Sequence, residues 1–188
     1  MLTKPALQSL EFEEALDAVD RGAAFIDLRP IASYFEVHIP GSIPLLYEFG
    51  PGLASRARDC LPLSLSLVVL DLGHGDCAHA AASLRGKGFT VLGKIEDGIN
   101  QWAALRGTPR STEIVASPVG KVVDVGDPGA QAGDDAIHIP IERLWGRVDE
   151  LRDHDQLTVA SGYGVRASVA AGILERAGHD VAIWSTRH

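Results

Sequence analysis

Two short loops of this sequence combine residue types that could bind an anion or carry a nucleophile. The first, Asp71–Asp76, follows the apolar run Leu67–Leu70, and the second, Ser161–Arg166, follows Leu157–Ala160. Both loops contain glycine and precede a segment of helical character. The backbone N–H groups of such a loop, together with the N-terminus of the following helix, favour a negatively charged ligand. A nucleophile at the first loop position, with an arginine closing the loop, would allow covalent chemistry on that ligand.

Dinucleotide binding is an alternative for these loops, because Gly73–Ala78 and Gly162–Ala167 both fit the pattern G-x-G-x-x-A. The pattern needs an acidic residue after the next strand to hold a ribose. No acid follows the strand after the second loop, whereas Glu96 stands at a suitable distance from the first. The first loop lies far from the start of its repeat, however, and the fingerprint normally opens a domain. Dinucleotide binding is therefore the weaker interpretation.

Both loops belong to a unit of strand, glycine loop, helix, glycine and strand that occurs twice. Gly88 and Gly178 end the two helices at equal distances from Asp71 and Ser161. Strands that alternate with helices favour parallel pairing through right-handed crossovers, and hence an α/β fold. The predicted strands are Ala24–Asp27, Leu67–Leu70, Phe89–Leu92, Lys121–Asp124, Leu157–Ala160 and Val181–Trp184. The predicted helices are Cys77–Arg85, Gly98–Leu105, Ile141–Leu151 and Arg166–Arg176.

The first repeat carries a series of short motifs in a fixed order. They are Phe25–Arg29, Tyr34 followed by His38–Ser42, Asp97–Trp102 and Gly107–Pro109. Over residues 8–109 this series resembles the rhodanese family of sulfurtransferases and their inactive relatives. Within the first motif, we expect Asp27 and Arg29 to form a structural ion pair.

The second repeat resembles the same family over a shorter stretch. Val123–Gly126 is similar to the opening motif, and Ser161–Ala171 is similar to the family's loop and helix, while the segment near residues 133–136 lacks the H-I-P-G motif. His38 and His138 both begin His-Ile-Pro, but their distances from the loops differ, so we do not align them. The resemblance implies two rhodanese-like α/β domains, each a mainly parallel sheet flanked by helices, with the second abbreviated. We predict domains at residues 1–110 and 121–188, joined by a polar linker at 111–120.

The residues at the family's catalytic positions are replaced in both loops. The resemblance implies a cysteine at the first loop position, which carries sulfur as a persulfide, and an arginine at the sixth. Asp71 and Ser161 occupy the first position, and Asp76 and Arg166 the sixth. We therefore expect the first loop to be catalytically inactive and to repel anions. The second loop keeps an anion-binding cradle, which would consist of Ser161, Gly162, Tyr163, Gly164, Val165 and Arg166.

Other residues near the loops could serve different chemistry. Cys77 lies at the start of a predicted helix, where its thiol pKa could be lowered, although a buried packing role is favoured. Cys60 is a weaker candidate. His74, Cys77 and His79 suggest a metal site, but their spacing does not direct three ligands to one point on a helix, so we predict no metal.

Two hydrolytic interpretations of the second loop fail on the sequence around Ser161. A serine hydrolase needs a G-x-S-x-G elbow, and Ser161 follows Thr-Val-Ala instead. A cysteine-dependent phosphatase would share the fold, but its nucleophilic cysteine is missing from this loop. Arg166 either binds an anion or ties the loop to a neighbouring carboxylate.

Composition and charge exclude several classes of protein. With 46% hydrophobic residues the chain is not intrinsically disordered, and no apolar run is long enough to span a membrane. A net charge of −8 with scattered basic residues argues against nucleic acid. Cys60 and Cys77 form no disulfide framework, and the acidic N-terminal stretch does not resemble a secretion signal, so we expect a cytoplasmic protein.

These features together predict a catalytically degenerate tandem protein that acts as a binding or regulatory module. Its ligand would be a small anion such as sulfate, thiosulfate or phosphate at Ser161–Arg166, or an unidentified protein. We expect no cofactor and no membrane partner, and a homodimer is left open. The alternative is an active thiosulfate or persulfide sulfurtransferase that uses Cys77.

Overall fold

The computed structural model describes residues 6–47, 52–126, 133–160 and 164–185. The helices are α1 (Phe12–Asp20), α2 (Ile31–Glu36), α3 (Gly52–Cys60), α4 (Cys77–Gly86), α5 (Gly98–Leu105), α6 (Ile141–Arg147) and α7 (Val165–Arg176), with a 3-10 turn at Val148–Leu151. The strands are β1 (Ala24–Asp27), β2 (Ile43–Pro44), β3 (Leu67–Asp71), β4 (Val91–Glu96), β5 (Glu113–Val115), β6 (Lys121–Asp124), β7 (Ile137–His138), β8 (Gln156–Ala160) and β9 (Asp180–Trp184).

The chain forms two compact units by backbone contact. The first unit comprises residues 1–29 and 45–108, and the second comprises residues 30–44 and 109–188. The predicted division into residues 1–110 and 121–188 stays a prediction. No helix in the described part of the chain is long and apolar enough to cross a membrane. The cytoplasmic location also stays a prediction.

The first unit is built on a parallel sheet in which its own strands have the order β1-β3-β4. The central strand β3 is buried from Leu67 to Leu70, because helices cover both faces of a parallel sheet and leave no polar side. The four-residue apolar run therefore identified this strand correctly. The next strand starts at Val91 rather than at the predicted Phe89. Phe89 closes the end of α4, where its N–H donates to the carbonyl of Leu84.

The second unit contains a five-stranded sheet with the order β5-β9-β8-β6-β7, and every pair in it is parallel. The sheet includes Glu113–Val115, which lies inside the predicted linker and pairs with β9. The polar residues and the proline around this segment hid a short β-branched strand. The predicted helix Ile141–Leu151 also divides, since α6 ends at Arg147 and a 3-10 turn follows. The two parallel sheets with flanking helices confirm the predicted α/β class.

Equivalent backbone hydrogen bonds occur at the end of β1 in the first unit and at the end of β6 in the second unit. The carbonyl of Asp27 accepts from the N–H of Leu45 at 2.8 Å, and the carbonyl of Asp124 accepts from Ile139 at 2.9 Å. Leu45 and Ile139 are therefore equivalent residues. The residues that precede them, Pro44 and His138, are then equivalent too, so His138 does not correspond to His38. The two His-Ile-Pro sequences thus occupy different places in the fold.

Candidate functional site

The first loop runs from the end of β3 to the start of α4 and turns at two glycines. Gly73 and Gly75 both have φ +77°, a conformation that side chains with a Cβ adopt only at a cost. A Cβ on Gly75 would lie 2.6 Å from Cγ of Tyr47, so that position also needs glycine for space. The loop geometry therefore depends on two glycines that lie between the two predicted catalytic positions.

Asp71, at the predicted nucleophile position, forms an ion pair with a lysine of the neighbouring strand. Nζ of Lys94 lies 3.0 Å from Oδ2 of Asp71 and 3.3 Å from Oε1 of Glu96. The hydrogen bond to Asp71, and then the one to Glu96, raises the pKa of Lys94 above its ordinary value. The Asp71 carboxylate is 29% exposed, and its charge is balanced by an ammonium group rather than offered to a ligand.

Asp76, at the predicted position of the family's arginine, caps the helix that follows the loop. Its Oδ1 accepts a hydrogen bond of 3.0 Å from the backbone N–H of His79 in the first turn of α4. Aspartate is a favourable N-cap because its carboxylate satisfies a free helix N–H and interacts well with the helix dipole. The carboxylate therefore neutralises part of the positive potential at this helix end, which would otherwise attract an anion.

Cys77 is buried beside the first loop and holds its proton tightly. Its Sγ lies 4.0 Å from the carbonyl oxygen of Leu70. Burial and then the charge of Asp71 raise the pKa of the Cys77 thiol to about 11, with Asp76 adding to the shift and Lys94 opposing it. A cavity of about 400 Å³ lies against this region. It is lined by Leu7, Asp71, Gly75, Asp76, Cys77, Ala78 and Lys94.

The second loop is described in part. Ser161, Gly162 and Tyr163 lie outside the described residues, so their predicted roles stay predictions. Gly164 is the N-cap of α7, and its carbonyl accepts from the N–H of Ser168. Val165 begins that helix.

Arg166 lies in the first turn of α7 and faces an acidic side chain of α6. Its Nη2 is 3.8 Å from Oε1 of Glu142, and the two side chains are 41% and 46% exposed. The predicted contact with a neighbouring carboxylate is therefore present. A separation of 3.8 Å is long for a hydrogen bond, so the contact is a loose surface ion pair.

Two buried aspartates, Asp27 and Asp124, end β1 of the first unit and β6 of the second. Asp27 accepts from Nη2 of Arg29 at 2.8 Å and from its Nε at 3.1 Å, which confirms the predicted ion pair. Asp27 also accepts from the Arg29 backbone N–H, as Asp124 accepts from the N–H of Gly126 at 2.9 Å. These carboxylates hold the turns that follow β1 and β6, and neither lines the cavity of the first loop.

Sequence reasoning missed Lys94 and Glu142, the two charged partners of the loop residues. Lys94 alternates with apolar residues in β4, and Glu142 lies near the start of a predicted helix. Neither position carries a local signal, because each pairing depends on how distant segments pack. Among the described residues, no group of three or more histidine, cysteine, aspartate or glutamate side chains could hold a metal ion. His79 instead lies near the Tyr47 hydroxyl, at 3.4 Å.

Comparison with known proteins identifies a family and a set of similar folds. A sequence profile described as Rhodanese-like domain matches residues 11–105. Similar solved structures include the thiosulfate sulfurtransferase of Pseudomonas aeruginosa, with 17% identity and a TM-score of 0.41. They also include SseA of Escherichia coli, described as a 3-mercaptopyruvate sulfotransferase, with 15% identity and a TM-score of 0.41. A probable thiosulfate sulfurtransferase has 20% identity and a TM-score of 0.34.

The alignments differ in how much of each structure they cover. The alignment with the Pseudomonas structure covers 97% of this chain and 43% of that chain, so this chain spans less than half the length of that structure. For SseA the two shares are 98% and 100%, and for the third structure they are 87% and 92%. No curated protein matches the sequence.

Proposed function

The chain belongs to the rhodanese-like family, and we propose that it is a member that binds a ligand without carrying sulfur on a cysteine. The observation that carries this proposal is the ion pair between Asp71 and Lys94, with Nζ and Oδ2 3.0 Å apart. A carboxylate cannot hold sulfur as a persulfide, and this one is already paired with a cation. The tandem arrangement of two such domains is part of the same proposal.

Cys77 is the thiol nearest to the first loop, and its environment opposes catalysis. A thiolate is the nucleophile in sulfur transfer. With a pKa of about 11, about one Cys77 thiol in ten thousand would be ionised at pH 7. The family's loop lowers the thiol pKa, whereas burial and Asp71 act in the opposite direction in this chain. These features support a packing role for Cys77.

The proposed ligand is a small anion at the second loop, within residues 161–166. Arg166 lies in the first turn of α7 with its side chain 41% exposed, so an anion could reach it. The N–H groups in the first turn of this twelve-residue helix would add hydrogen-bond donors. Sulfate, thiosulfate and phosphate share the charge and the acceptor oxygens that such a site needs. Binding would compete with the Glu142 carboxylate for Arg166.

A thiosulfate-to-cyanide sulfur-transfer assay tests the proposal. We would compare the native protein with Ser161→Cys, which restores a thiol at the first position of the loop that keeps its arginine. The Ser161→Cys variant should be made in a background of Cys60→Ser and Cys77→Ser, so that it carries one thiol. Ser117→Cys in the same background is a matched control, because Ser117 is an exposed serine that belongs to neither loop.

We expect no turnover from the native protein, turnover from Ser161→Cys and none from Ser117→Cys. Turnover by the native protein, lost in Cys77→Ser, would overturn the proposal in favour of a sulfurtransferase that uses Cys77. A silent Ser161→Cys variant that remains folded would overturn the anion site at the second loop.

A further inference from the structure

A cavity of about 230 Å³ lies within the second unit, between the helical segment 141–151 and α7. Trp145 and Val148 line it from the first segment, and Ile173, Arg176 and Ala177 line it from α7. Spacings of three and four residues place each set on one face of its helix. Ile173 is buried and Ala177 is exposed, so the cavity extends from the interior to the surface at the end of α7.

Arg176 is the charged side chain among the described residues that line this cavity. Its guanidinium carbon lies 5.6 Å from the centre of the Trp145 ring, a cation-π contact. Burial lowers the pKa of Arg176, because the charged guanidinium is partly withdrawn from water. A guanidinium carries five N–H donors in a planar fork that matches the two oxygens of a carboxylate. A carboxylate in the cavity would therefore find a cation that gains from an anionic partner.

Two carboxylates that are close to the cavity in sequence have partners of their own. Oε1 of Glu175, the residue before Arg176, lies 2.9 Å from Nε2 of His38. Oε1 of Glu150 lies 2.7 Å from Nε of Arg147. Neither carboxylate is among the described residues that line the cavity, so Arg176 gives the cavity a positive charge.

The size and lining of the cavity indicate the rest of the ligand. An apolar cavity of about 150 Å³ holds one benzene ring, so about 230 Å³ has room for one ring and a carboxylate. This volume is below the range of about 300–1,000 Å³ that is typical of sites for drug-sized ligands. Trp145, Val148 and Ile173 supply aromatic and aliphatic surface for the faces of a ring. A single aromatic ring therefore fits the cavity.

We propose that this cavity binds a small carboxylate with one aromatic ring, with the carboxylate on Arg176 and the ring against Trp145 and Ile173. Arg166, at the proposed site for an inorganic anion, lies near the other end of α7, about 15 Å away along the helix axis. The two sites are therefore separate. The inference concerns the second unit alone and is independent of the proposed function.

Titration of the full chain with benzoate tests the proposal, with the indole N–H signals of ¹⁵N-labelled tryptophan as the readout. The chain has three tryptophans, and the signal of Trp145 is assigned by its loss in Trp145→Phe. Benzoate should shift the Trp145 signal saturably, with a dissociation constant of about 1 mM or tighter. The signals of Trp102 and Trp184, which are not among the described residues that line the cavity, should stay unchanged.

Two further probes and three variants separate the contributions of charge, ring and space. Benzamide has the shape of benzoate without its charge, and acetate lacks the ring, so each should bind at least about tenfold more weakly. Arg176→Gln should weaken benzoate binding by a similar factor, whereas Arg143→Gln, at an exposed arginine of α6 outside the described lining, should not. Ala177→Leu places a larger side chain at the exposed end of the cavity and should also weaken binding, although it leaves the guanidinium in place.

Several results would overturn the proposal, and the first three use the native protein, so they do not depend on the folding of a variant. They are the absence of a saturable benzoate shift at Trp145, benzamide or acetate binding as tight as that of benzoate, and benzoate binding that leaves the Trp145 signal unchanged. The last of these would place the benzoate site elsewhere in the chain. Undiminished binding by a folded Arg176→Gln variant would also overturn the assignment of the carboxylate to Arg176.

Discussion

The ammonium of Lys94 lies 3.0 Å from the carboxylate of Asp71, at the predicted nucleophile position of the first loop. The contact arises from the register of two parallel strands, in which Val69 is opposite Lys94 and Asp71 is opposite Glu96. Lys94 therefore lies diagonally across from Asp71, the last residue of β3, on the same face of the sheet, and its side chain reaches the carboxylate. The pair balances a charge that would otherwise face the cavity alone.

The acidity of Cys77 should respond to this ion pair. Asp71→Asn removes the larger of the two carboxylate contributions that raise the thiol pKa above its ordinary value, so the pKa should fall from about 11. In a Cys60→Ser background, alkylation by iodoacetamide at pH 9 should become several-fold faster. The pH dependence of the alkylation rate measures the pKa itself.

Asp76→Asn is the matched control for the Cys77 experiment. Asp76 is the smaller carboxylate contribution to the raised pKa, and asparagine preserves the N-cap. Its effect on the alkylation rate should therefore be smaller than that of Asp71→Asn. An equal or larger effect would show that Asp71 is not the main carboxylate that acts on the thiol.

The helix cap at Asp76 should contribute measurably to stability. Asp76→Ala removes the acceptor for the N–H of His79 and should lower the free energy of unfolding by about 1 kcal/mol. Urea unfolding followed by circular dichroism measures this loss. Asp76→Asn should recover most of it, and an unchanged midpoint in Asp76→Ala would argue against the cap.

The buried pair of Asp27 and Arg29 should be far more sensitive to substitution. Arg29→Leu leaves the fully buried Asp27 carboxylate without its guanidinium partner, and loss of one partner of a buried pair typically costs about 3–5 kcal/mol. The midpoint of urea unfolding should shift accordingly. Arg147→Leu, which breaks an exposed pair with Glu150, should cause a much smaller shift. Similar losses in the two variants would show that burial of Asp27 does not matter.

Glu142 should compete with the proposed anion for Arg166. Glu142→Gln removes an exposed partner at 3.8 Å, and because such a pair is worth about 0.2–1 kcal/mol, sulfate affinity should rise by a factor of about 1.4–5. Isothermal titration calorimetry with sulfate measures the change. Arg166→Ala should abolish the binding, whereas Arg152→Ala, an exposed arginine after the 3-10 turn, should not. Binding that survives Arg166→Ala would move the site elsewhere.

The sequence by itself determined the fold class and the central elements of both sheets. The runs at residues 67–70 and 157–160 identified β3 and β8, because strands covered on both faces need continuous apolar residues. The sequence also predicted the pair of Asp27 and Arg29, whose members are two residues apart. These features are local, so the order of residues along the chain is sufficient to predict them.

The tertiary structure alone decided which side chains from distant segments meet, at the loops and elsewhere. Lys94 reaches Asp71 through strand register, Glu142 reaches Arg166 through the packing of α6 near α7, and Glu175 reaches His38 across most of the chain. The short strand β5 also became visible only through its pairing with β9. Each of these contacts joins segments that are distant in sequence, and an isolated charge or a three-residue strand has no periodicity that would reveal its partner.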